Sequence, residues 1–440
     1  MRGAHKILSP RDEIRVPPPP ATEKGGLLLF NAGEIATMAG HDRPRRGEQM
    51  KDLALLPEGA IYALQGKIVE VGDSRTLERK YSDSSTVIDA EGDIVVPGFV
   101  DPHTHLVFAG SRENELELKL KGATYQEIAA SGGGLLSTVA KTRAATTEEL
   151  ISEASSRLRG MLEEGTTTAE AKSGYALDSN GELKILAAIE TLSERQPIHL
   201  VPTFLGAHAV PPEFEGKADA YIDLLVNEQL QLVARKTAAR FCDVWVEQGY
   251  FSVEQARRLL LQAKLLGLTP KVHADELTAC GGAELAGEMG AVSADHLIHV
   301  SDGGLEAMKD AGTVAVLLPA ASMSSRLPYA DARKIITAGV PVAVGTDLNP
   351  GCWVESMQFV ISLAVHQLRM TPAEAVTAAT ANAAHAIGLP REVGSIEPGK
   401  SADFVVLDAD RIGHIGYRFG RNMAEVVVKA GNVVVDRRAR

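Results

Sequence analysis

Short apolar runs rich in β-branched residues recur through the middle of the chain, near residues 96–101, 166–170, 198–203, 242–246, 270–273, 291–295, 313–318 and 341–345. Runs of this length and composition predict strands. Most gaps between them carry apolar positions at helical spacing instead. From Thr146 to Glu164 the apolar residues Leu150, Ile151, Ala154, Leu158, Met161 and Leu162 fall on one face. A Thr146-x-x-Glu149 capping box opens that stretch and Gly165 closes it. Ser252-x-x-Gln255 opens another helix, and Thr371-Pro372-x-Glu374 a third with proline in its first turn. Eight strands with helical crossovers predict an α/β fold, a (β/α)8 TIM-like barrel. A doubly wound open sheet is the competitor, but no GxGxxG or GxxxxGK[ST] follows any strand.

The two ends of the chain resemble each other more than they resemble the middle. Strands are predicted at 27–30, 60–64, 67–71 and 86–89, and again at 403–407, 424–428 and 432–436, with Gly turns between them. The expected division is a disordered leader over 1–25, which holds four prolines at 17–20, a small β-sandwich domain from 26–96 and 392–440, and the barrel over 97–391.

Composition narrows the function. The chain has 440 residues, 45% hydrophobic and 23% charged, as expected of a globular protein. A formal net charge of −12 argues against nucleic acid as a partner, which needs clustered Lys and Arg. It also means that an anionic substrate needs a local cationic anchor. No apolar run has the length of a membrane span, and the N-terminus lacks the apolar core of a signal peptide. Cys242, Cys280 and Cys352 form no CxxC pair. The expectation is a reduced, cytoplasmic protein that touches neither membrane nor nucleic acid.

Active sites of such barrels lie at the carboxyl ends of the strands. There the sequence places His103 and His105 after the first strand, Lys172-Ser173-Gly174-Tyr175 after the second and His208 after the third. Glu247 follows the fourth, His273 and Glu276 the fifth, Asp295 and His296 the sixth, and Asp347 and Asn349 the eighth. Five of the twelve histidines thus sit on one rim, while His199, His299, His366, His385 and His414 read as structural. Neutral imidazoles with one carboxylate suit Zn²⁺ or iron rather than Ca²⁺ or Mg²⁺. A metal so held lowers the pKa of water from 15.7 to about 7, which makes hydrolysis the natural chemistry. Glu276 is placed to move protons, and His296 to stabilise an oxyanion.

Pro97-Gly98-Phe99-Val100-Asp101-Pro102-His103-Thr104-His105, the two-ended β domain and Asp347 resemble the amidohydrolase superfamily. "DPHTHLVFAGSRENE", "SGGGLLSTVAKTR", "AKSGYALD", "TFLGAHAVP", "VHADE", "ADHL" and "GTDLNPG" together resemble its imidazolonepropionase family, over essentially all of 27–436. The resemblance implies hydrolysis of the imidazolone ring of 4-imidazolone-5-propanoate to N-formimidoyl-L-glutamate, in histidine breakdown. It implies one zinc or iron ion per chain on His103, His105, His273 and Asp347, with Glu276 and His296 assisting proton transfer and holding the ring carbonyl. Arg112 would meet the propionate, Tyr125, Tyr175, His208 and Glu276 would line the ring pocket, and Asn349, Gly351 and Cys352 would lie beside it. It also implies a homodimer. Relatives with two metals bridge them by a carboxylated lysine on the fourth strand, where this chain has Trp245-Val246-Glu247. Cys352 stands where the family pattern expects a small hydroxyl residue. Gly132-Gly133-Gly134 fits a mobile loop beside the pocket. A deaminase of similar metal geometry and an inactive scaffold relative are the alternatives.

Overall fold

The computed structural model describes residues 25–123, 127–128 and 131–438; the expected leader therefore lies outside the described residues apart from Gly25. Eight parallel strands form one sheet in sequential order: β1 Phe99–Asp101, β2 Thr166–Lys172, β3 His199–Ala207, β4 Phe241–Val246, β5 Thr269–Ala274, β6 Ser293–His296, β7 Val314–Leu317 and β8 Val342–Val344. The barrel closes just beyond β1 and β8. Asp347 N donates to His103 O at 3.0 Å and His105 N to Leu348 O at 2.9 Å. Behind that seam Thr346 donates twice to Asp101, from N to Oδ1 at 3.1 Å and from Oγ1 to Oδ2 at 2.5 Å. The residues that complete the barrel are therefore neighbours of the candidate ligands.

The crossovers start where capping chemistry predicts. In the helix Thr147–Glu163, Thr146 Oγ1 accepts from Glu149 N while Glu149 Oε2 accepts from Thr146 N, and Gly165 at φ +94° turns the chain into β2. Leu150, Leu158 and Met161 are at most 1% exposed, each burial stabilising by about 1.5–3 kcal/mol. Ser252 and Thr371 cap Val253–Leu265 and Pro372–Ala379 in the same way.

The chain ends build a second sheet, mixed and also eight-stranded. Its order is Asn432–Asp436, Ala424–Lys429, Phe404–Leu407, Ile94–Pro97, Gly26–Ala36, Leu55–Leu64 and Lys67–Asp73, with Ser85–Asp89 branching from Gly26–Ala36. It folds over a core of its own in which Leu27, Leu29 and Ile61 join Phe404, Val406 and Val428. The apolar run at 96–101 is two strands, one per sheet. Gly98 divides them: a Cβ there would lie 2.2 Å from Thr167 Oγ1, and Gly98 N is tied to Asp403 O at 2.9 Å. Among the described residues no helix is long and apolar enough to cross a membrane.

Candidate metal and active site

The HxH pair converges with its expected partners. His103 Nε2 lies 3.3 Å from His105 Nε2, which lies 3.5 Å from His273 Nε2. Asp347 Oδ1 is 3.5 Å from the Nε2 atoms of both His103 and His105. Ligand atoms about 2.0–2.1 Å from a tetrahedral ion stand roughly 3.3–3.4 Å apart, the spacing found among His103, His105 and Asp347 and between His105 and His273; His208 and His296 also lie within reach of a cluster with His273. All four residues are at most 5% exposed. Burial holds the pKa of His103 and His105 well below the usual imidazole value, which keeps their lone pairs available, and raises Asp347 to about 6.

Two of the three imidazoles have a carboxylate behind them. Asp295 Oδ2 lies 2.6 Å from His103 Nδ1, and Asp243 Oδ2 lies 2.9 Å from His273 Nδ1. A carboxylate at Nδ1 leaves Nε2 as the nitrogen that faces a metal. Parallel register brings these groups together on adjacent strands: His273 on β5 is paired with Trp245 on β4, two residues from Asp243, and with Asp295 on β6. His208 stacks on His105 with ring centroids 4.9 Å apart, and burial lowers its pKa to about 3. Two site residues hold left-handed backbone, Asp347 at φ +50° and His296 at φ +77°, conformations non-glycine residues rarely adopt.

His105, His273, Asp347, Glu276, His296, Arg112, Tyr175, His208, Asn349, Gly351 and Cys352 all border one cavity. His103 lies behind its wall, fully buried, and Tyr125 lies outside the described residues. Glu276 Oε1 is 3.6 Å from His296 Nδ1, and burial, with the charges of Asp347 and Glu247, lifts its pKa to about 8. Arg112 turns Nε and Nη2 onto Glu115 at 2.8–3.0 Å, while its Nη1 side approaches Gly351. Glu115 also accepts from Gly134 N at 2.7 Å, so the glycine run is anchored to the carboxylate that pairs with Arg112. Asn349 binds its own loop: Oδ1 accepts from Gly351 N and Cys352 N, and Nδ2 donates to Asp347 O.

The rim loops are held by buried carboxylates that collect backbone amides. Asp275 accepts from the N–H groups of residues 280–283 and so shapes the loop that carries Glu276. Glu247 accepts from Leu277 N at 2.7 Å, which assigns it to that loop rather than to a metal. Glu182 accepts from Gly174 N, Ala176 N and Leu177 N at 2.7–2.8 Å, fixing Tyr175 over the pocket. Glu182→Ala is expected to leave three buried donors unsatisfied at about 1–3 kcal/mol each. Its denaturant midpoint should fall well below the parent's; an unchanged midpoint would refute this role.

Five pocket residues were not anticipated: Trp245, Lys119, Leu135, Ala321 and Ser325. Trp245 had a signal in the alternation Asp243-x-Trp245-x-Glu247, which places all three on one side of β4. The other four carry no chemical mark in the sequence.

Fold and site together define an amidohydrolase. Amidohydrolase family models match residues 86–129 and 267–434. The chain is 52% identical over 417 residues to imidazolonepropionase of Symbiobacterium thermophilum, covering 93% of this chain and 97% of that one. It is 48% identical over 415 residues to imidazolonepropionase of Geobacillus kaustophilus, covering 93% and 98%. The chain belongs to the imidazolonepropionase family. Solved structures share the fold at low identity. E. coli guanine deaminase matches with a TM-score of 0.69 at 17% identity, covering 94% of this chain and 99% of that one. A zinc-bound adenosine deaminase from Xanthomonas campestris matches with 0.67 at 18%, covering 94% and 93%.

Proposed function

We propose that this protein hydrolyses 4-imidazolone-5-propanoate to N-formimidoyl-L-glutamate, using one zinc or iron ion on His103, His105, His273 and Asp347. The observation that carries the reading is that one cavity joins this ligand cluster to a buried arginine. Family membership at 52% identity to a named imidazolonepropionase supports it further.

In the mechanism, the bound ion supplies a nucleophile at neutral pH by lowering the pKa of water to about 7. Arg112 holds the propionate and so orients the ring. Tyr175 and His208 enclose the heterocycle and keep bulk water away. His296, neutral through burial, faces the ring carbonyl and steadies the negative charge that develops on its oxygen. Glu276, its pKa raised by burial to about 8, takes the proton of the attacking water in its ionised form and returns it to the ring nitrogen as the carbonyl–nitrogen bond breaks. The ring carbonyl carbon ends as the new carboxylate of the product. The three cysteines are unpaired thiols, which supports a reducing, cytoplasmic setting.

Arg112→Lys keeps a charge beside Glu115 but loses the planar fork. It is expected to raise KM about tenfold with little change in kcat, a loss of about 1.4 kcal/mol. An unchanged KM would place the propionate elsewhere. The reading as a whole is tested by incubating the purified protein with freshly made 4-imidazolone-5-propanoate. Loss of the imidazolone absorbance with appearance of N-formimidoyl-L-glutamate and no ammonia supports it. No loss above the spontaneous rate, with ammonia released from aminated rings instead, would mark a deaminase.

A further inference from the structure

Below the ligand cluster the barrel interior holds two lysines that the chemistry above leaves unexplained. Lys172 ends β2 and Lys271 lies on β5, and both are 0% exposed. Lys172 Nζ lies 2.7 Å from Asp243 Oδ2, 2.8 Å from Glu170 Oε2 and 3.6 Å from Asp295 Oδ2. Lys271 Nζ lies 3.1 Å from Glu170 Oε1, which also accepts from Thr203 Oγ1 at 2.5 Å. Buried lysines are rare and need paired carboxylates to remain charged.

The oxygens that Lys172 touches are the ones that meet the imidazoles. Asp243 Oδ2 accepts from Lys172 Nζ and lies 2.9 Å from His273 Nδ1, while Asp295 Oδ2 lies 2.6 Å from His103 Nδ1 with the Lys172 ammonium 3.6 Å and the Lys271 ammonium 4.0 Å away. The remaining oxygens are held as well, since Asp243 Oδ1 accepts from Val244 N and Asp295 Oδ1 from Ser293 Oγ. Neither carboxylate can turn without losing a partner. Three carboxylates against two ammonium groups leave one excess negative charge under the imidazoles, the sign that favours a cation above them.

We propose that Lys172 is a positioning residue for the metal centre: a single ammonium pins two carboxylates, which fix His103 and His273 with Nδ1 protonated and Nε2 turned to the metal. The proposal rests on the ligand assignment above. It also gives Lys172 a role other than that of a metal-bridging carboxylated lysine, because its amine is enclosed by three carboxylates.

The test uses Lys172→Gln in the full chain. In ring-nitrogen NMR of the metal-free protein, His103 and His273 are expected as Nδ1–H tautomers in the parent and as mixed tautomers in the variant. Zn²⁺ affinity, measured by competition with a chromophoric chelator, is expected to fall roughly 10- to 100-fold, the usual effect of removing a group that orients a metal ligand. A lysine that only stabilised the fold would lower the melting temperature and leave both readouts of the folded protein unchanged, and that result would overturn the proposal. Should Lys172→Gln not fold, Lys172→Gln/Glu170→Gln removes one charge of each sign and carries the same expectation. Failure of both to fold would make Lys172 a folding residue and would equally overturn it. A parent protein that binds no Zn²⁺ would fail the ligand assignment itself, which keeps the two outcomes apart.

Discussion

Alanine at His273 or at Asp347 is expected to remove metal retention and turnover together. Each supplies one of the four donors gathered about the same point. Loss of the ion removes several kcal/mol of transition-state stabilisation, so kcat should fall by at least about a thousandfold. Asp347 sits at φ +50°, which asparagine tolerates better than alanine. Asp347→Asn therefore separates loss of the ligand charge from backbone strain. Metal content by elemental analysis, read beside kcat, checks the prediction. A metal-free variant with full activity would show that these residues are not the ligands.

Glu276→Gln is the second large effect. The amide matches the carboxylate in size but cannot carry the proton. Metal content should stay at the parent's level while kcat falls by about 10²–10⁴, the usual contribution of a positioned acid–base group. KM should change little, because the proposed anchor of the anion is Arg112. A normal kcat in this variant would remove Glu276 from the proton path. Loss of metal along with activity would instead mean that Glu276 helps hold the ion.

The candidate rim was legible because barrel topology gathers strand ends on one face. His103, His105, His208, His273, His296 and Asp347 are scattered over some 245 residues of sequence, yet each follows an apolar run and all meet at one cavity wall or just behind it. Helix starts were legible for a local reason, since the capping boxes at Thr146, Ser252 and Thr371 involve residues only three apart. What lay hidden depends on contacts between distant segments. Lys172 reads as the polar end of a strand, and only the packed barrel shows it inside, against Asp243 and Asp295. Glu182 and Asp275 look like ordinary acidic residues until the backbone amides they gather are seen. The break at Gly98 was invisible because apolar residues flank it on both sides and serve two different sheets. The short helix Ser74–Tyr81 was also unforeseen, although Asp73 caps it through Thr76 N.

The central claim is that one metal ion on His103, His105, His273 and Asp347 makes this barrel a hydrolase of the imidazolone ring. The most direct measurement is titration of the metal-stripped protein with Zn²⁺ or Fe²⁺, following hydrolysis of 4-imidazolone-5-propanoate at each addition. Turnover should rise linearly from the chelated baseline and break at one equivalent per chain. A break at two equivalents, or turnover that chelation leaves untouched, would contradict the account.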